Sequence, residues 1–492
     1  MLYRVVQAEW LTSCAHLDAR ERPLPRFCRR EVEAFLRCGI LAHGFARVWC
    51  QGCRRDEVVA FSCKGRGFCP SCGARRMVDT AAWLVDRVLP DVPVRQWVLS
   101  LPHRIRMLCA ADPDACAAVR RVLVRAVSGY YEREARDHGM PRPRAGAVSF
   151  VQRFDSALRL NVHFHVLWLD GVYSHRLGRG EVAWCEHAQV TDADVAKIVT
   201  RIRARVVRKL RRMGKLPDDD EAEELADLPG GEEQLLMDLS SAAVQGRAAL
   251  GERPGAADVR VGRGTRADPF VKAALCADSD GFSLHAAVRV RAGDRKRLEH
   301  LCRYAGRSAI AESRLSELPD GRLCYALKRT WKDGTTHIVL TPQVLIERLL
   351  ALVPRPRRHQ LTYYGVLAPA AGLRSRVVPQ RELGDEVGAV AGAPSVPAGV
   401  EADHGDRPKR DLVPHRPAAR RRGVKRRSTW ASLLRRVFLV DVLQCPHCGG
   451  ARRLLAAVYD PLSIEAVLRA MGLAPEAPEL APARAPPGCG QS

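Results

Sequence analysis

Apolar and polar positions alternate along the middle of the chain in a pattern that predicts β-strands separated by amphipathic helices. A period of two indicates a half-buried strand, and a recurrence every three to four residues indicates a helix. On this basis the predicted strands are 94–101, 147–154, 158–169, 281–290, 322–327 and 335–340, and the predicted helices are 112–136, 294–307 and 343–352. Strands and helices mixed in this order favour an α+β fold, in which an antiparallel sheet carries helices on one face.

The strand predicted over 158–169 has an unusual polar face. Because side chains of a strand alternate between its two sides, Asn161, His163 and His165 point one way and the apolar residues between them point the other way. Two imidazoles on adjacent positions of one face are able to bind a single divalent cation. Histidines in an apolar strand are also commonly half-buried and only hydrogen-bonded, so the pattern alone leaves both interpretations open.

The helix predicted over 294–307 places a tyrosine next to positive charge. Asp294 is suited to cap its N-terminus, and Tyr304 lies at the edge of its apolar stripe, beside Arg297, His300 and Arg307. A phenol with an ordinary pKa of about 10 needs nearby cations or a metal to ionise and attack a phosphodiester. The alternative is that Tyr304 is a rim residue of an amphipathic helix with no chemical role.

Cysteines near the N-terminus have the spacing of a zinc site. The chain contains 17 cysteines, and in the cytosol such residues are reduced thiols or metal ligands rather than disulfides. Two Cys-x2-Cys pairs match a structural tetrathiolate site, which has no open coordination position. The predicted zinc ligands are Cys50, Cys53, Cys69 and Cys72. Cys38 and Cys63 are further thiols that could replace members of this set.

The charge balance predicts a polyanionic partner. The 492 residues carry a formal net charge of +24, mostly from arginine, and nucleic acid is the commonest polyanion. A GC-rich genome would explain why most of the basic residues are arginine rather than lysine, but it would not explain the excess of basic over acidic residues. The cations around the predicted zinc site are candidate DNA contacts: Arg54, Arg55, Lys64, Arg66, Arg75 and Arg76. No apolar run of 18 residues and no secretory apolar core are present, so we expect a cytoplasmic protein with no membrane partner.

The last part of the chain is organised differently. An acidic segment, 217–233, reads as a solvated insertion, and 379–427 is rich in Gly, Pro and Ala and ends in a basic run. A small unit over 430–473 contains Cys445-Pro-His-Cys448, which is half of a zinc ribbon. No second pair follows it, so this half is either degenerate or takes its other ligands from elsewhere in the chain.

Several motifs together resemble the rolling-circle transposases of the insertion sequence ninety-one family and of the related common-region elements. The matching segments are CGILAHGFAR (38–47), SCKGRGFCPSC (62–72), NVHFH (161–165), LCRY (301–304) and DGTTHI (333–338). The resemblance extends over residues 30–379, approximately, and a weaker similarity is present at residues 437–450. Members of that family are His-hydrophobic-His (HUH) single-strand endonucleases, which implies an α+β HUH core preceded by a small zinc-binding domain that holds Zn²⁺.

The resemblance also implies roles for individual residues. His163 and His165 would bind a catalytic Mg²⁺ or Mn²⁺, with Gln152 as the third ligand and Asp155 as the alternative. Tyr304 would attack the scissile phosphate and leave a 5′-phosphotyrosine and a free 3′-hydroxyl.

This chain departs from some relatives in two ways. Where they carry a second tyrosine one helical turn beyond the first, it has Ser308, and the lysine that follows the tyrosine in replication initiators is replaced by Arg307. Arg297 and Arg307 are the DNA contacts implied on this helix. Strand transfer would then use either the two tyrosines of a homodimer or a single tyrosine that acts in successive cleavages.

The implied division of the chain has four parts. They are an N-terminal zinc-binding, DNA-contacting domain (1–92), a catalytic domain (93–370) with an insertion around 175–278, a flexible basic linker (371–428) and a C-terminal accessory region (429–492). The implied partner is DNA, especially the single-stranded ends of the element, and the implied location is the bacterial cytoplasm, on the nucleoid when DNA is bound. Two rival functions remain: a relaxase or replication initiator with the same chemistry, and a non-catalytic zinc-containing DNA-binding protein.

Overall fold

The computed structural model describes residues 1–175, 182–187, 189–216, 232–250, 253–262, 274–331, 333–379 and 444–484. The helices in these ranges are α1 (Leu2–Asp18), α2 (Arg26–Leu36), α3 (Pro70–Arg87), α4 (His103–Ala111), α5 (Pro113–Asp137), α6 (Asp192–Arg212), α7 (Glu232–Gln245), α8 (Arg295–Ala305), α9 (Pro342–Leu352), α10 (Arg374–Val377) and α11 (Pro461–Ala470). The strands are β1 (Phe45–Cys50), β2 (Asp56–Ala60), β3 (Val94–Ser100), β4 (Gly146–Phe154), β5 (Leu160–Leu169), β6 (Gly171–His175), β7 (Val182–Glu186), β8 (Val259–Val261), β9 (Cys276–Ser279), β10 (Phe282–Val290), β11 (Leu315–Glu317), β12 (Leu323–Ala326), β13 (His337–Leu340), β14 (Leu361–Gly365) and β15 (Arg452–Val458).

A six-stranded sheet forms the centre of the molecule. Its strand order is β14-β4-β5-β3-β10-β9, and every neighbouring pair is antiparallel. β5, which carries the two histidines, lies between β4 and β3, and all but two of its residues are buried. A strand paired on both sides is held rigidly, so the positions of its side chains are fixed by the sheet.

The two faces of this sheet bury different sets of residues. One face includes Trp97 and Trp168 and packs against α4, α5, α6, α7 and α9 in the larger apolar core. The other face includes Val148 and Leu167 and packs against α3 and α8 in a second core. The α+β class with an antiparallel sheet is confirmed, and helices cover part of the second face as well as the first.

The predicted elements correspond closely to the observed ones. The six predicted strands match β3, β4, β5, β10, β12 and β13, and the three predicted helices match α5, α8 and α9, all to within a few residues. The short strands β9 and β14, at the two edges of the central sheet, have no counterpart among the predicted elements. The acidic segment up to residue 231 and the linker from residue 380 lie outside the described residues.

The N-terminal region and the C-terminal region share one small sheet. Its order is β15-β1-β2, so a strand from residues 452–458 pairs with one from residues 45–50. The boundaries predicted at residues 92, 370 and 428 remain predictions. The structure adds that 1–92 and the described part of 429–492 are joined by backbone hydrogen bonds.

Helix α8 is fixed by its own sequence and by α3. Asp294 caps its N-terminus, as predicted, by accepting a hydrogen bond from the backbone N–H of Arg297 (3.0 Å). Leu298, Leu301, Cys302 and Ala305 are buried, and they pack against the sheet and α3. Arg295, at the start of α8, donates hydrogen bonds to the carbonyls of Val85, Leu89 and Pro90 at the end of α3.

Candidate active site and cysteine clusters

The histidine pair and the tyrosine line one pocket of about 650 Å³. The pocket lies on the sheet face that is covered by α3 and α8, and its walls come from β5, β3, β10, α8 and residues 328–331. The imidazole rings of His163 and His165 are 4.9 Å apart between centroids, and the ring of Tyr304 lies 5.7 Å from that of His165. The structure therefore brings together residues that are about 140 positions apart in the sequence.

Both histidines are neutral at physiological pH. Burial lowers the pKa of His163 to about 4 and lowers that of His165 well below its ordinary value of 6.5. A neutral imidazole has one nitrogen with a free lone pair, which is the form that binds a metal ion. The environment therefore keeps both side chains in a state that can act as a ligand.

Hydrogen bonds determine which nitrogen is free. His163 Nδ1 lies 2.7 Å from the backbone carbonyl of Asn161, which only accepts, so Nδ1 carries the proton and Nε2 has the lone pair. His165 Nδ1 lies 3.0 Å from the side-chain amide of the buried Gln96 on β3. The amide nitrogen of Gln96 faces the ring and donates to Nδ1, so it fixes the ring orientation and leaves the proton of neutral His165 on Nε2. Nε2 becomes free for a metal when the amide turns its oxygen towards Nδ1.

Tyr304 is accessible and is surrounded by positive charge. Its side chain is 38% exposed. The Arg307 guanidinium lies 5.5 Å and the Lys328 ammonium 4.9 Å from the centre of its ring. Burial lowers the pKa of both cations, but each remains protonated near neutral pH because its ordinary pKa is high. A phosphate bound here would meet two cations and the phenol together.

Gln152 occupies a different place from the one implied for a metal ligand. It pairs with His163 across β4 and β5, but its amide nitrogen donates to the carbonyls of Tyr304 (3.1 Å) and Ala305 (2.8 Å). Its side chain thereby holds the C-terminal end of α8, and it lines a neighbouring cavity rather than the pocket with the histidines. The alternative ligand, Asp155, pairs with Arg159 and accepts hydrogen bonds from its own turn.

The pocket contains polar residues that sequence reasoning missed. Gln96, His285 and Lys328 all line it. His285 follows the same alternation as the histidines of β5, but it could not be assigned to their face until β3 was known to lie between β10 and β5. Lys328 lies in an irregular segment after β12, where no periodic pattern indicates its direction.

Eight of the cysteines form two clusters of four. One contains Cys38, Cys63, Cys69 and Cys72, and the other contains Cys50, Cys53, Cys445 and Cys448; within each, the sulfur atoms lie within 4.8 Å of one another. Separations of 3.4 Å (Cys63–Cys72) and 3.5 Å (Cys50–Cys448) are far longer than a disulfide. They are close to the value of about 3.8 Å expected around a tetrahedral zinc ion.

This arrangement corrects the predicted grouping of Cys50, Cys53, Cys69 and Cys72 in one site. Each Cys-x2-Cys pair is indeed a knuckle, but the two knuckles belong to different clusters. The reason is strand pairing: β1 ends at Cys50 and lies against β15, which brings Cys445 and Cys448 to that knuckle. Cys38 and Cys63, considered only as replacements, complete the other cluster.

Two family models match the chain. The model described as "Putative transposase" (Y2_Tnp) matches residues 146–374, and the model described as "Transposase zinc-binding domain" (Zn_Tnp_IS91) matches residues 10–101. The chain belongs to the insertion sequence ninety-one (IS91) family of transposases. It is therefore a DNA-processing enzyme with an N-terminal zinc-binding domain. No curated protein and no solved structure matches this transposase.

The matched regions agree with the observed sites. The first match contains β5 and α8, and with them the histidine pair and Tyr304. The second contains all four cysteines of the Cys38 cluster, and together with the cluster geometry it supports structural Zn²⁺ in this transposase. Cys445 and Cys448 lie outside both matches.

The predicted DNA contacts fall into two groups. Arg54, Arg55, Lys64, Arg66, Arg75 and Arg297 are exposed. Arg76 and Arg307 are partly buried: Arg76 donates to the carbonyls of Lys64 and Gly65 and so supports the knuckle, and Arg307 lies against Tyr304.

Within the described ranges of this transposase, no helix has the length and apolar character needed to cross a bilayer.

Proposed function

We propose that this transposase cuts and rejoins single-stranded DNA through a covalent 5′-phosphotyrosine at Tyr304. The observation that carries the proposal is the pocket in which an accessible tyrosine, two neutral histidines and two cations converge. Membership of the transposase family supports a role in DNA strand transfer. The remaining steps are derived from the chemistry of these side chains.

His163 and His165 are the residues that would hold the catalytic cation. Both rings are neutral and face one pocket, His163 Nε2 has a free lone pair, and His165 Nε2 gains one when Gln96 presents its oxygen to Nδ1. The donor set therefore fits Mn²⁺ or Mg²⁺ with further oxygen ligands from water or DNA. When bound, such an ion polarises the scissile phosphate as a Lewis acid. Gln96 and His285 are among the additional side chains in the pocket that carry suitable donor atoms.

The covalent step follows from the position of Tyr304. The phenol loses its proton, its Oη forms a bond to phosphorus, and the bond from phosphorus to the 3′-oxygen breaks; that oxygen takes up a proton. Arg307 and Lys328 would stabilise both the phenolate and the phosphate. The phosphotyrosine retains the energy of the phosphodiester, so attack by another 3′-hydroxyl rejoins the DNA without ATP.

The partners follow from the same mechanism. A pocket that is open to solvent and lined by cations suits a single strand, whose backbone can approach Tyr304 without a paired strand in the way. Two linked cleavages require two tyrosines, which a homodimer would supply, or the repeated use of Tyr304. We propose single-stranded element ends as the substrate and the cytoplasm, with its nucleoid, as the location.

The test is the formation of a covalent adduct. The purified transposase is mixed with labelled single-stranded DNA from the element ends and Mn²⁺ or Mg²⁺, and a denaturant-resistant adduct is measured. We expect Tyr304→Phe to abolish the adduct and to leave DNA binding within about twofold. Tyr459→Phe, which alters a 70% exposed tyrosine outside the pocket, is the matched control and should behave as the wild type.

The histidines are tested in the same assay. His163→Ala and His165→Ala should each bind DNA but form no adduct. An adduct that persists in Tyr304→Phe would exclude Tyr304 as the nucleophile. DNA that remains bound by the wild type without any adduct would favour a binding protein over a nuclease.

A further inference from the structure

The second cysteine cluster combines the two ends of the chain. Cys50 and Cys53 form the turn after β1, and Cys445 and Cys448 form the turn before β15, about 390 residues later. The sulfur atoms are 3.5 Å apart for Cys50–Cys448 and 3.6 Å apart for Cys53–Cys445. Four thiols at these separations match the ligand set and geometry of a closed zinc site.

The turns have the local structure of metal-binding knuckles. Within the second turn, the N–H of Cys445 donates to the carbonyl of Gly450 (2.8 Å), and the N–H of Gly450 points at the sulfur of Cys448 (3.4 Å). Gly449 has a φ of +70°, which favours glycine. N–H groups directed at sulfur stabilise the thiolate form that binds a metal.

The two knuckles approach each other so closely that a side chain at Gly52 or Gly450 would be tightly packed. A Cβ added at Gly450 would lie 3.3 Å from the Cα of Gly52, and a Cβ added at Gly52 would lie 3.1 Å from the sulfur of Cys448. A larger residue at either position would require the facing knuckle to shift by a few tenths of an ångström. The backbones are therefore shaped to bring the four cysteines together.

Apolar packing between the C-terminal unit and the N-terminal sheet is slight. Among the residues that the structure describes, the shared cluster buries Phe45, Ile464 and Leu468, and the middle residues of β15 are exposed. So small a core does not ordinarily hold a folded unit in place without a metal or a covalent link. The β1–β15 pairing thus needs another source of stability.

We propose that Cys50, Cys53, Cys445 and Cys448 bind a second Zn²⁺ and that this ion fastens the C-terminal unit, residues 444–473, to the N-terminal sheet. The site completes the half ribbon at Cys445–Cys448 with ligands from the opposite end of the chain. It makes the zinc-binding domain of this transposase a composite of two distant segments. The inference is independent of the nuclease chemistry proposed for Tyr304.

The first test counts zinc in the full-length protein by native mass spectrometry. We expect two zinc ions per wild-type chain and one in Cys445→Ser/Cys448→Ser. Cys276→Ser/Cys324→Ser is the matched control, because these partly exposed cysteines belong to neither cluster, and it should retain two. Wild type with a single zinc, or a double variant that retains two, would overturn the proposal.

The second test measures amide hydrogen exchange in the same proteins. Loss of the second zinc should expose the amides of β15 and α11 to exchange and leave those of β5 protected. Unchanged protection of β15 in a chain that has lost this zinc would refute the fastening role. If the double variant does not fold, Cys448→His decides: histidine is also a zinc ligand, so two zinc ions support the proposal and one contradicts it.

Discussion

At the scale of single residues, Gln96 shows how a site depends on side chains that do not themselves react. Its amide lies 3.0 Å from His165 Nδ1 and sets both the orientation of the ring and the nitrogen that carries the proton. Gln152 plays a comparable part for Tyr304, because its amide holds the last turn of α8. Neither role follows from residue type, since an amide serves equally as a metal ligand or as a hydrogen-bonding support.

Replacing Gln96 with leucine tests its positioning role. We expect Gln96→Leu to weaken Mn²⁺ binding by about 10- to 100-fold, as for other residues that support a metal ligand. Gln96→Glu should be milder, because a carboxylate accepts from Nδ1–H and leaves His165 Nε2 free for the metal. Metal affinity is measured by calorimetry, and adduct formation is followed against Mn²⁺ concentration. Wild-type affinity in Gln96→Leu would show that the amide does not orient His165.

The lowered pKa of His163 predicts a pH dependence of stability. In the unfolded chain its pKa is about 6.5, whereas in the folded chain it is about 4. Between these values the unfolded state binds the proton and the folded state does not, so the free energy of unfolding falls as the pH decreases through this window. Below about pH 4 this residue causes no further decrease in the free energy of unfolding.

The measurement is urea unfolding of the wild type and of His163→Gln from neutral pH to about pH 4. Glutamine does not titrate, so the difference in the free energy of unfolding between the two proteins should change across the window. If the free energies of unfolding of the two proteins changed in parallel with pH, His163 would have the same pKa in the folded and unfolded states. Comparing the two proteins removes contributions that they share, including protonation of the cysteines.

At the scale of elements, α3 connects the zinc-binding domain to the helix that carries Tyr304. Its first turn contains Cys72, and its length packs against α8, which carries Tyr304. Gly73 of α3 faces Ser308, three residues beyond the end of α8, and an added Cβ would lie 2.6 Å from Oγ and 2.8 Å from Cβ of Ser308. Ser308, at the position where some relatives have a second tyrosine, thus abuts α3.

Gly73→Ala tests this contact. In an open helical position alanine stabilises by up to about 1 kcal/mol relative to glycine, but here the clash should destabilise by roughly 1–3 kcal/mol and reduce adduct formation. Gly129→Ala in α5 is the matched control, because its Cβ would meet only the mobile end of Arg133. Thermal and urea unfolding measure both variants. A stabilising effect of Gly73→Ala would contradict close packing of α3 on Ser308.

At the scale of the whole molecule, the positive charge is concentrated in particular surfaces. Helices α5 and α6 pack on the sheet face opposite to Tyr304, and a groove of about 310 Å³ lies between them. Six of the residues that line it are cations: Arg121, Arg125, Arg205, Arg208, Lys209 and Arg212. None of its lining residues is acidic. Such a groove suits the phosphate backbone of DNA.

Replacing groove cations should weaken DNA binding and its salt dependence. We expect Arg125→Gln/Arg205→Gln/Arg208→Gln to lower the slope of log K against log salt by roughly one for each phosphate that the variant no longer neutralises. The control neutralises Arg4, Arg322 and Arg469, exposed arginines that pair with carboxylates elsewhere. Fluorescence anisotropy at several salt concentrations measures both. Equal slopes in the two triple variants would exclude the groove as a DNA-binding surface.

The sequence predicted the local features of the site well. Alternation placed His163 and His165 on one face of a strand, and helical periodicity placed Tyr304 at the edge of a buried stripe; the structure contains both elements. These predictions succeed because the side-chain direction within a strand or helix is set by backbone geometry alone. The same geometry could not show that Gln152 would turn towards α8, because that choice depends on a helix about 150 residues away.

By itself the sequence determined the α+β class, the strand with the histidine pair, the tyrosine helix and the resemblance to transposases. Only the tertiary structure decided which cysteines share a cluster, which polar residues join the histidines, and how α3 meets α8. The physical reason is the distance along the sequence between the residues that interact. Periodicity and spacing record interactions within one element, whereas the partition of the cysteines depends on the pairing of β1 with β15, and the composition of the pocket depends on the order of strands in the central sheet.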